Sequence, residues 1–155
     1  MSMDPALVGE CARIAASYPE PAAALLPVLH RVQRQEGYLS TPVLEQVAEL
    51  LGLPPARVLG VVSFYPAFRT QKSGRHLIQV CATLSCCLMG AGDVRACLQE
   101  RLGIGAGETT TDGRFTLEEI GCLASCATAP VMMVDGELYQ SLTRERIDQI
   151  IGRLD

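Results

Sequence analysis

The chain has 155 residues, 48% of them hydrophobic, which suffices for one good core or two small ones and argues against disorder. A formal net charge of -4 gives neither nucleic acid nor an anionic membrane surface an electrostatic reason to bind. A mean hydropathy of +0.22 hints that some apolar surface is covered by another subunit. The opening MSMDPALVGE has Asp4 where a signal peptide needs basic residues, and no apolar run reaches the length of a membrane span. The protein is therefore expected in the cytosol. Seven cysteines there (Cys11, Cys81, Cys86, Cys87, Cys97, Cys122 and Cys126) are odd in number and unsuited to a disulfide framework, so metal binding or redox chemistry leads.

Residues 4–17 and 21–36 read as helices, with stripes Leu7, Cys11, Ile14, Ala15 and Leu25, Val28, Leu29, Val32. Pro21 suits the start of the second and Gly37 its end. STPVLEQVAELLG offers a third helix, with Thr41 as N-cap, Pro42 at the first position and Gly52 as terminator. LPPARVLGVVSFY repeats the pattern behind Pro54 and Pro55, so the first 68 or so residues are helical. The polar RTQKSGR, residues 69–75, separates two textures and marks a boundary between domains at 1–72 and 73–155. Beyond it HLIQVCA reads as a buried strand, AGDVRACLQERLG as a helix closed by Gly103, and RFTLEEIGC as a second strand. VMMVDGELYQSL reads as a hairpin about Asp135-Gly136, and TRERIDQIIGRL as a last helix carrying Ile147, Ile150, Ile151 and Leu154.

Cys81 ends the first strand, Cys86 falls in the loop before the next helix, and Cys122 and Cys126 occupy the loop after the second strand. Loops at the carboxyl ends of neighbouring strands lie side by side, so this C-x4-C pair and C-x3-C pair can converge on one point. The small residues Ala82, Ser85, Gly121, Ala124 and Ser125 allow backbone N–H groups to approach anionic sulfur. Structural zinc and an iron–sulfur cluster both use four thiolates; the C-x2-C knuckle usual in zinc ribbons is absent, as is the C-x-x-C of thiol–disulfide enzymes. Two loops with two thiolates each suit a [2Fe-2S] rhomb, one pair per iron. A Rieske centre would need two histidines, but His30 falls in a helix and His76 at a strand start. Cys11 and Cys97 sit on helical apolar stripes and read as small hydrophobes.

Two motifs invite misreading. GIGAG, residues 103–107, follows a helix instead of leading from a strand into one, so it reads as a connecting loop and not a phosphate cradle. The N-terminal helices carry too few and too scattered basic residues for a helix that enters a DNA groove. No general acid–base pair or nucleophile constellation is evident, so no turnover is expected of the isolated chain.

LLPVLHRVQRQEGYLS, VAELLGLPPARVLGVVSFYPAF, VCATLSCCLMGAGDV, LGIGAGETTTDGRFTLEEIGCLASCATAPVMMVDGELY and the final helix together resemble the family of 24 kDa-type [2Fe-2S] subunits of complex I, the NADH-quinone oxidoreductase of bacteria. The resemblance covers nearly everything after residue 20. It implies an α+β architecture, an N-terminal helical bundle followed by a thioredoxin-like domain, and ligands for one [2Fe-2S] cluster at Cys81, Cys86, Cys122 and Cys126. Cys87 reads as a bystander, though an adjacent thiol can substitute after mutation or compete during assembly. The resemblance further implies a flavoprotein partner that binds FMN and takes hydride from NADH, other peripheral-arm subunits, and a place at the inner face of the membrane. The equivalent subunit of an NAD-dependent formate dehydrogenase or hydrogenase diaphorase shares the same motifs. A zinc-stapled assembly module is the reading from another class. Phe64, Tyr65 and Phe68 read either as packing between the two halves or as a docking site for the flavoprotein.

Overall fold

The computed structural model describes residues 3–154. The chain divides into two compact units between Lys72 and Ser73.

The first unit is helical. Helix α1, Pro5–Ala16, starts where the Asp4 side chain accepts the Ala6 N–H at 3.2 Å with Pro5 at the first position. The expected helix over 21–36 proves to be two pieces, a 3-10 turn Pro21–Ala24 and helix α2, Leu25–Glu36. Pro27 explains the break: it has no N–H to give the carbonyl of Ala23 and its ring crowds that carbonyl, so the α-ladder begins afresh with Pro27 in its first turn. Helix α3, Thr41–Leu51, has Ser40 and not Thr41 at its N-cap position, one residue earlier than expected, so Pro42 takes the second position; the Ser40 side chain makes no capping hydrogen bond. Gly52 ends it in the left-handed conformation (φ 62°), returning its N–H to Ala48 and Glu49. Helix α4, Pro55–Phe64, follows Pro54.

These helices bury one core that includes Leu7, Cys11, Val28, Leu29, Val32, Leu39, Val47 and Val58. The segment after α4 is held to α2 by one amide: Gln33 Nε2 donates to the Ala67 carbonyl (2.8 Å) and Gln33 Oε1 accepts the Arg69 N–H (2.7 Å). This brings Phe68 into the core, its ring 4.7 Å from that of His30, while Phe64 is 76% exposed and Tyr65 40% exposed. The three aromatics that read as one set in sequence are thus two different things: Phe68 is core of the first unit and Phe64 is surface.

The second unit contains β1 (His76–Cys81), α5 (Leu84–Leu88), α6 (Ala91–Leu102), β2 (Phe115–Ile120), β3 (Met132–Val134), β4 (Glu137–Tyr139) and α7 (Arg144–Ile151). The strands form one sheet in the order β2-β1-β3-β4. β1 and β2 run parallel, in register from His76 opposite Phe115 to Cys81 opposite Ile120; β3 is antiparallel to β1 and forms a hairpin with β4. At the hairpin turn Asp135 (φ 51°) and Gly136 (φ 91°) both take positive φ, as a primed turn requires. Asp135 also caps β1, accepting the Leu77 N–H at 2.8 Å and bonding His76 Nδ1 at 2.7 Å. The core sets Ile78, Val80, Leu117, Met132 and Val134 of the sheet with Leu98 of α6 and Ile147 of α7. Residues 103–107 form the expected loop, which then folds back along β2 through Gly107 N–H to Leu117 O (2.7 Å) and Leu117 N–H to Glu108 O (3.1 Å). The mixed α+β arrangement, helices first and sheet second, is the one expected from sequence.

Candidate metal centre

Parallel pairing of β1 and β2 puts their carboxyl ends side by side, and the ladder runs one step past the strands, with the Ala82 N–H on the Ile120 carbonyl at 2.9 Å. Cys81 therefore meets the chain as it enters Gly121 and Cys122; its sulfur lies 3.9 Å from the Gly121 carbonyl oxygen. Cys86 is not in a loop, as expected, but in the short helix α5. Extended Thr83 opens that helix and its carbonyl closes the first turn with the Cys87 N–H (2.9 Å). The turn buries Cys86, and Cys81 with it, against Ala91, Ala129 and Val131, with Leu123 and Leu138 at the edge.

The two buried thiols are driven apart in acidity. Burial raises the Cys81 thiol, but the Thr83 hydroxyl (3.1 Å), the N–H groups of Thr83 and Leu123, and the Cys86 thiol outweigh it and bring its pKa down to about 7. Cys86 goes the other way: burial pushes it up, and a Cys81 thiolate beside it pushes it further, against the Val131 N–H and the Thr83 hydroxyl. The metal-free protein is expected to show one thiolate by ultraviolet absorbance that appears near pH 7, and Cys81→Ser is expected to remove it. Because its folded pKa lies below its unfolded value, Cys81 adds stability that is present above the unfolded pKa and lost as pH falls through about 7.

Cys122 and Cys126 lie exposed on the second loop. Their loop is shaped by Ala124, whose φ of 53° is left-handed and turns its N–H onto the Cys122 sulfur at 3.3 Å. A side chain there costs about 1–2 kcal/mol. Ala124→Gly is expected to stabilise the metal-free protein by up to about 1 kcal/mol after the entropy glycine loses, measured by urea titration. The following 3-10 turn, Cys126–Thr128, is braced by Ser125: its hydroxyl lies 3.0 Å from that of Thr128 and accepts from Gln140 Nε2 at 2.8 Å.

The structure thus gathers Cys81 with Cys86 and lays the backbone at Gly121 on Cys81, while leaving Cys122 and Cys126 open on that loop. Among the described residues no three His, Cys, Asp or Glu side chains close around a common metal position. The donor chemistry nonetheless fits a cluster: the thiols sit on two adjoining segments, one running from the end of β1 into α5 and the other following β2, and the backbone N–H groups of Thr83, Leu123 and Val131 favour negative charge on the buried sulfurs. Thr83, Leu123 and Val131 were missed in sequence. Only Thr83, two residues past Cys81 with a hydroxyl in reach, carried a signal that would have found it. Cys11 and Cys97 are buried, one in each unit's core. His30 packs tilted against Phe68 and His76 bonds Asp135, so neither turns to a cysteine. No helix among the described residues is long and apolar enough to cross a membrane.

The chain is 44% identical over 142 residues to an NADH-quinone oxidoreductase subunit of Thermus thermophilus, covering 90% of this chain and 78% of that one. It is 40% identical over 133 residues to an NADH-quinone oxidoreductase subunit of Rickettsia conorii, covering 85% and 80%. Its fold superposes on a crystal structure of NAD+-reducing [NiFe]-hydrogenase with a TM-score of 0.73 and 25% identity, covering 84% of this chain but only 22% of that one. Residues 11–155 match the thioredoxin-like [2Fe-2S] ferredoxin domain, and the chain belongs to that family.

Proposed function

We propose that the chain is the electron-transferring subunit of an NADH-quinone oxidoreductase, holding one [2Fe-2S] cluster on Cys81, Cys86, Cys122 and Cys126. The observation that carries this is the meeting of two cysteine-bearing segments at the paired ends of β1 and β2, where Ala82 pairs with Ile120 and the Cys81 sulfur lies 3.9 Å from the Gly121 carbonyl oxygen. When bound, such a cluster gains and loses one electron at a time. The protein sets how readily. N–H groups of Thr83, Leu123, Ala124 and Val131 offset negative charge on sulfur and favour reduction. The apolar shell of Ala91, Ala129, Val131, Leu123 and Leu138 keeps water off the inner pair and opposes added charge. Similarity to the quinone-reductase subunits supports an FMN-binding flavoprotein as partner and NADH as the reductant. Likeness to the hydrogenase supports a second reading, the equivalent subunit of a hydrogenase diaphorase.

The test is EPR of anaerobically purified protein before and after dithionite, with iron, sulfide and zinc measured on the same sample. About two irons and two sulfides per chain, with a rhombic signal appearing on reduction, is the expected result. Zinc at one per chain, with neither sulfide nor signal, makes the site a structural staple. Co-purification with a quinone reductase or with a hydrogenase separates the two parent complexes.

Exposed Phe64 gives a further check on assembly. Phe64→Ala is expected to leave stability within about 0.5 kcal/mol. If this half docks on the flavoprotein, the same change weakens that association by about tenfold or more in a binding titration.

A further inference from the structure

Cys87 is the thiol of the 81–87 segment that the proposed ligand set leaves over. Its sulfur donates to the Ala82 carbonyl at 3.6 Å, so the side chain folds back across the first turn of α5 onto the residue that follows Cys81. Ala82 is itself tied to Ile120, where the chain runs into Gly121 and Cys122. Cys87 therefore lies against the same strand ends as the proposed ligands, on their exposed side. Few side chains anchor α5 in its present rotation: Leu84, Leu88 and Met89 are 76%, 78% and 60% exposed and Cys86 is its buried residue, so the segment is held chiefly by backbone bonds such as Cys87 N–H to Thr83 O and Gly90 N–H to Cys87 O. Consecutive helical residues stand about 100° apart, so one residue's rotation exchanges Cys86 for Cys87 and forfeits the burial of a single small side chain.

We propose that Cys87 is a reserve ligand, able to hold the iron otherwise held by Cys86, reached by a one-residue rotation of α5. The inference rests on the iron–sulfur reading above. In the exchange the iron–sulfur bond to Cys86 breaks and one to Cys87 forms. Cys86 takes up the proton that Cys87 releases, and no electron changes hands. As a bystander Cys87 would merely neighbour the site; as a reserve it makes the first loop tolerant to loss of Cys86.

Wild type, C87A, C86A and C86A/C87A are loaded anaerobically with ferrous iron and sulfide, desalted, and assayed for iron, sulfide and the EPR spectrum after dithionite. C87A is expected to match wild type, C86A to keep most of its cluster with displaced g-values, and C86A/C87A to lose nearly all of it. Iodoacetamide is expected to label Cys87 in both loaded and unloaded wild type, but in C86A only when the chain is unloaded. C86A with no more cluster than C86A/C87A overturns the proposal, as does equal labelling of Cys87 in loaded and unloaded C86A. If far-UV circular dichroism shows that alanine at 86 unfolds the second unit, the near-isosteric pair C86S and C86S/C87A decides by the same comparison. A wild-type chain that takes up no iron and sulfide overturns the iron–sulfur reading and this inference together; a loaded wild type beside an empty C86A overturns this inference alone.

Discussion

Cys122→Ala is expected to empty the protein of iron and sulfide and erase the EPR signal of the reduced form while leaving the chain folded. Cys122 is exposed and its sulfur accepts one N–H bond, from Ala124 at 3.3 Å, and sulfur is a weak acceptor. Truncating it should therefore change the stability of the metal-free chain by no more than about 0.5 kcal/mol. The loss falls on the cluster, because a two-iron centre of this type needs four thiolates and this loop has no second cysteine next to Cys122 to stand in. Cys97→Ala is the control: that thiol is buried in the core of the second unit, so its removal costs about 1 kcal/mol of stability and leaves the cluster in place. Iron and sulfide analysis, EPR and urea titration of the two variants side by side check both halves. A Cys122→Ala protein that keeps a wild-type signal removes Cys122 from the ligand set.

Leu29→Ala is expected to unfold the first unit near room temperature and spare the second. Leu29 has no exposed surface and lies in the core of the helical unit. A leucine deleted to alanine at such a site costs about 2–5 kcal/mol. A unit of this length rarely has more than about 3–5 kcal/mol to lose. The cores of the two units share no residue, so residues 1–72 and 73–155 are proposed to melt as separate cooperative domains. Calorimetry of the variant should show the first transition displaced and the second retained, with iron content and EPR unchanged. Simultaneous loss of the cluster shows instead that the helical unit is required for the fold of the other.

Local chemistry made much of this legible in sequence. Asp135-Gly136 has one undemanding conformation between two strands, and Gly52 ends a helix because its left-handed φ is cheap for glycine alone. The errors came where two local signals competed. Ser40 and Thr41 are both residue types that favour the N-cap, and Pro42 tolerates either of the first two helical positions, so the sequence does not separate them. Pro21 announces a helix start, but Pro27, six residues on, determines where the α-ladder begins. At the site, cysteine spacing pointed to two loops, yet nothing in the spacing said that Cys86 would be helical or that Leu123 would lend its N–H to Cys81. Those depend on strand pairing between segments almost forty residues apart, which no window of sequence contains. Phe64 and Phe68 make the same point: they lie four positions apart, and only the second is flanked by the Gln33 and Leu39 bonds to Ala67 and Arg69 that hold it against the helical core.

The in-register ladder from His76–Phe115 to Cys81–Ile120 has a mechanical consequence. A cluster held by both loops ties together the two ends of the chain between them and so acts as a covalent crosslink on the unfolded protein. By chain-entropy arithmetic, closing a loop of about 40 residues removes about 4 kcal/mol of disorder from the unfolded state. The four proposed ligands would then also serve as the rivet of the second unit, so that losing the redox centre narrows the margin by which that unit stays folded without itself unfolding it.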